Sequence, residues 1–65
     1  MEHVATIHCT DLNSDDEALA IVRAGDSAVA LALSVRDGGD LEVVLPIDAC
    51  NELIAALQRA VSPEP

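Results

Sequence analysis

The chain has no phenylalanine, tryptophan or tyrosine and no lysine, and only two of its 65 residues are cysteine. Without aromatic rings, any core must be built from Val, Ile, Leu and Ala, and the rigid anchors that dominate binding hot spots are missing. Without lysine, the only cations are Arg23, Arg36 and Arg59, set against 12 acids for a net charge of −9. Three scattered arginines make no cationic footprint for phosphates, so direct nucleic-acid binding is excluded. Cys9 and Cys50 are too few for the disulfide framework of a small secreted domain. With no charged and apolar leader at the start of the sequence, a reduced, cytoplasmic setting is expected. No apolar run approaches the roughly 20 residues that span a bilayer, and an acidic surface is repelled by anionic headgroups, so no membrane association is expected.

Hydrophobic residues make up 51% of the sequence, far above the level of a disordered chain. A chain this short forms at most one domain, burying only about 60% of the surface it exposes unfolded. Disulfides, a metal or oligomerisation usually make up the deficit.

The β-branched stretch EHVATIHCT (residues 2–10) predicts a first strand. DLNSDDE supplies a turn, because Asn, Ser and Asp side chains hydrogen-bond to nearby backbone. EALAIVRA (17–24) predicts a second strand, closed by Gly25-Asp26. SAVALALSVRDGGDLEVVLP then reads as a hairpin. A two-residue loop at Gly38-Gly39 would set Ser34 opposite Val43 and mix the faces. A three-residue loop, Asp37-Gly38-Gly39, pairs Val35 with Leu41, Leu33 with Val43 and Leu31 with Leu45, with Arg36 opposite Asp40 and Gly39 in the left-handed region. A five-residue loop keeps the same faces.

From Ile47 the period becomes helical. Ile47, Cys50, Leu53, Ile54, Leu57 and Val61 form one stripe. Pro46 suits a first turn, Asp48 serves as N-cap or as a favourable charge there, and Arg59 complements the other end of the helix dipole. The fold class is therefore α+β: a four-stranded, mostly antiparallel meander followed by one helix (ββββα). It occupies residues 1–61 as a single domain with a frayed tail at 62–65. The helix is expected to cover the face carrying Leu31, Leu33, Leu41, Val43 and Leu45.

One helix covers one face. The other carries Ala28, Ala30, Ala32 and Val44, joined by Leu19 and Ile21 if Gly25-Asp26 is a two-residue loop, or by Ala18, Ala20 and Val22 if the loop has three. Glu17, Arg23 and Glu42 are expected towards its edges, leaving the middle without charge. Such an apolar patch on a small protein marks an interaction surface, so Ala28, Ala30, Ala32, Val44, Ile21 and Leu19 are the candidate interface.

Chemistry finds little support in these residues. On a regular strand His8 and Cys9 point to opposite faces, while His3 and Cys9 share one but stand roughly 20 Å apart at about 3.3 Å per residue. No metal, cofactor or catalytic residue is assigned: Cys9 and Cys50 read as small buried hydrophobes, the aspartates as turn formers, and Gly38-Gly39 as a hairpin turn. The expected role is a non-enzymatic protein–protein interaction module acting as a homodimer or higher oligomer through the alanine face. The alternatives are an acidic inhibitor or nucleic-acid mimic that occupies a basic surface on a partner protein, and a small metal- or thiol-dependent activity.

Overall fold

The computed structural model describes residues 1–62. It consists of strands β1 (Glu2–Thr10), β2 (Glu17–Ala24), β3 (Ala28–Val35) and β4 (Gly39–Pro46), followed by helix α1 (Ile47–Val61). The strands form one antiparallel sheet in the order β1-β2-β3-β4, so the expected ββββα meander is observed. Ser62 forms the helix C-cap, its N–H donating to Gln58 O at 3.2 Å; the remainder of the expected tail, 63–65, lies outside the described residues.

The β1–β2 turn is built by the polar side chains that announce it. Asn13 N–H donates to Asp11 Oδ1 at 2.9 Å and Asp16 N–H to Ser14 Oγ at 3.2 Å. Asp15 has φ +65°, a left-handed conformation that Asp tolerates better than most residues. At the helix start, Pro46 occupies the N-cap position with φ −57°, close to the value its ring imposes. No side chain caps this end, so Asp48 acts through its charge in the first turn, with Arg59 in the last.

The β3–β4 hairpin differs from the expected register by two residues, as does β2–β3 from the two-residue-loop alternative; the three-residue alternative, which turns the other side of β2 to the alanines, is not observed. Gly25 N–H donates to Ala28 O at 2.9 Å, which leaves Asp26-Ser27 as the loop and pairs Arg23 with Ala30. In the β3–β4 hairpin Val35 pairs with Gly39, Leu33 with Leu41, Leu31 with Val43 and Val29 with Leu45. Arg36 therefore sits in the loop and Ser34 takes its expected place opposite Asp40, donating to Asp40 Oδ1 at 2.7 Å. Gly39 is left-handed as expected, at φ +81°. A shift of two keeps every side chain on its face but moves it along the strand.

The helix packs on the Leu31 face, where it touches β3 and β4 but not β1 or β2. Leu33 and Leu41, expected beneath it, are exposed. Among the described residues only Ala18 and Ala30 are buried, and none of them lies in the helix. The molecule measures 39 × 31 × 15 Å with a radius of gyration of 13.2 Å, about the value of a compact domain of 100 residues.

Candidate functional site: the two faces of the sheet

Directly paired residues share a face, so the ladder assigns each side chain to one side of the sheet. All six candidate interface residues fall together: Leu19 and Ile21 on β2, Ala28, Ala30 and Ala32 on β3, and Val44 on β4. The two-residue loop that unites them is Asp26-Ser27 rather than Gly25-Asp26.

The middle of this face is not free of charge. Arg23 lies opposite Ala30 and Glu42 opposite Ala32, and Arg23 Nη1 donates to Glu42 Oε2 at 3.2 Å across β3. Ala30 beneath is only 1% exposed. The two-residue shifts account for this arrangement: the expected registers put Arg23 opposite Ala28 and Glu42 opposite Ser34, near the strand ends. The observed ones bring both to the centre, where alanines leave room for them.

Every other side-chain pair belongs to the same face. His8 Nδ1 donates to Glu17 Oε2 at 2.7 Å, and His3 Nε2 lies 2.9 Å from Thr6 Oγ1. The pairing of β1 with β2 slips between His3 and Ala5, with Val4 as the extra residue. This bulge reverses the alternation, so His3 shares a face with His8 and not with Cys9. Cys9 is exposed and Cys50 half-buried, both as free thiols, so Cys9 is not the buried hydrophobe expected of it. Among the described residues no group of three or more His, Cys, Asp or Glu is placed to hold a metal ion, and no helix is long and apolar enough to cross a membrane.

The opposite face carries no charge on β2, β3 or β4. Its side chains form rows across the sheet: Ala5–Val22–Leu31–Val43, then Ile7–Ala20–Leu33–Leu41, then Cys9–Ala18–Val35. Cys50, Leu53, Ile54 and Leu57 of the helix border a groove of about 350 Å³ against Val22, Val29, Leu31 and Leu45. The second row lies open, with Ile7 52%, Leu33 46% and Leu41 61% exposed. On the helix, Ile54 and Leu57 are also exposed. The sequence does not disclose this surface, because a helical stripe and a strand face of matching hydrophobicity read as covering one another completely. The signal available was width: one helix of 15 residues set against four strands of eight or nine.

No family model, curated protein or solved structure matches the chain.

Proposed function

We propose that the protein is a non-enzymatic protein–protein interaction module that works as a homo-oligomer. One observation carries this reading: the chain exposes 5013 Å². A folded monomer of its 6.8 kDa mass exposes about 3,950 Å². The excess, about 1,000 Å², is comparable to the roughly 800 Å² that each partner contributes to a standard stable interface. Exposed large apolar side chains contribute to it, among them Ile7, Leu33, Leu41, Ile54 and Leu57, and a small domain is stabilised by covering such surface with another copy. The acidic-decoy alternative draws less support, because Glu17 and Glu42 are paired within the chain and Asp11, Asp15, Asp16, Asp26 and Asp37 are divided among three turns. Light scattering on a size-exclusion column at micromolar concentration tests the reading. A mass of two or more chains is expected, and a monodisperse 6.8 kDa species would refute it.

A further inference from the structure

The two faces of the sheet differ in kind, and the difference identifies the surface on which a second copy sits. The four side-chain hydrogen bonds and ion pairs between sheet residues all lie on the alanine face, which is thereby finished by its own polar groups. The helix-side face has no such finish. Its row Ile7–Ala20–Leu33–Leu41 crosses all four strands without a polar atom beyond the backbone, and the exposed Ile54 and Leu57 of the helix border the groove over Val22 and Leu31, in the neighbouring row.

We propose that a second copy docks on this helix-side face in a two-fold pair, each copy's helix covering the open row of the other. The inference rests on the oligomeric reading above and adds its geometry. An isologous contact requires a surface that complements itself, and this one supplies both halves: an apolar ridge on the helix and an apolar strip on the sheet. The whole chain's surface in excess of a monomer's is about what one side of a stable dimer buries, and Ile7, Leu33, Leu41, Ile54 and Leu57 are exposed on this side. Charge selects the same face. Two chains of −9 repel, and docking through the side on which β2, β3 and β4 carry no acid, with Glu2 at the far end of edge strand β1 the one strand acid there, leaves Glu17, Asp40 and Glu42 on the outer surfaces, separated by both sheets.

Two residues of β4 give a matched test. Leu41 and Val44 are similarly exposed, at 61% and 59%, but point to opposite faces. Leu41→Asp is expected to weaken the dimer at least about 30-fold, the effect of losing a hot-spot contact, and Leu57→Asp likewise; Val44→Asp is expected to change the dimer Kd less than about threefold. A mutant that loses its fold with the dimer would blur this comparison, so the unmodified chain is also examined by methyl NMR with a soluble paramagnetic agent. Ile7, Leu33 and Leu41 methyls are expected to be protected and Val44 methyls broadened. A dimer that Val44→Asp dissociates, with Leu41 methyls broadened, overturns the helix-side geometry while leaving the oligomeric reading intact. A wild-type chain that scatters as a monomer removes both.

Discussion

Arg23 and Glu42 reach towards each other from β2 and β4 and meet at 3.2 Å over the alanines of β3. Both side chains remain partly exposed, so the pair itself is worth little in a solvent of high dielectric constant. Its larger effect is steric, because the aliphatic stem of Arg23 covers apolar surface as it extends. Glu42→Gln is expected to cost about 0.5 kcal/mol, the scale of an exposed ion pair, and Arg23→Ala more, through the exposure of Ala30. Urea unfolding of both variants at one fixed protein concentration checks the order, which an equal loss would contradict.

Ala30 is small because something crosses above it. Ala30→Leu forces a large side chain beneath the Arg23–Glu42 pair, and overpacking of this kind typically costs about 1–3 kcal/mol. The same substitution at Ala32, which is only half-buried, is expected to cost less. Thermal unfolding of the two variants side by side measures the contrast.

The β3–β4 loop depends on both glycines for different reasons. Gly39 is left-handed at φ +81°, so Gly39→Ala is expected to destabilise by about 1–2 kcal/mol through backbone strain alone. At Gly38 a Cβ would come within 2.5 Å of Val35 Cγ2, so Gly38→Ala must displace a stiff β-branched side chain. Gly38→Ala is expected to be rescued in part by Val35→Ala, and Gly39→Ala not at all. A double-mutant cycle on unfolding free energies separates the two cases.

If two copies share their apolar surface, stability becomes a function of concentration. By mass action the unfolding midpoint in urea is expected to rise steadily as protein concentration increases from 1 to 100 µM, roughly 100-fold, as for any protein whose folded state binds a partner and whose unfolded state does not. A midpoint independent of concentration would count against coupled folding and assembly. The measurement is circular dichroism across the series in cells of different path length.

The sequence made the elements legible almost to the residue. Alternation and turn chemistry mark β1 and β2, and the change of period at Ile47 marks the helix. Register is legible modulo two in the β3–β4 hairpin, and in β2–β3 the loop length leaves even the face of β2 open. Alternation decides which face Glu42 occupies and says nothing of how far along that face it stands, since a slip of two residues preserves every inside and outside position. In the second hairpin the glycine marks Gly25 as loop, whereas its N–H continues the ladder to Ala28. The bulge at Val4 has no signature in its own residues, because β-branched valine suits a regular strand well. The reach of the helix was equally hidden: its stripe reports which side of α1 is apolar but not which strands lie beneath it.

The molecule is 15 Å through its thinnest direction, and among the described residues only Ala18 and Ala30 are buried. Chemistry that requires water to be shut out, such as a desolvated acid or a sequestered intermediate, calls for an enclosed compartment, and the groove of about 350 Å³ beside the helix is open in the single chain. Pairing on the helix side, as proposed, would roof the groove lined by Leu31 and Leu57 with another chain. In the proposed pair, such a cavity would belong to the assembly and not to either chain.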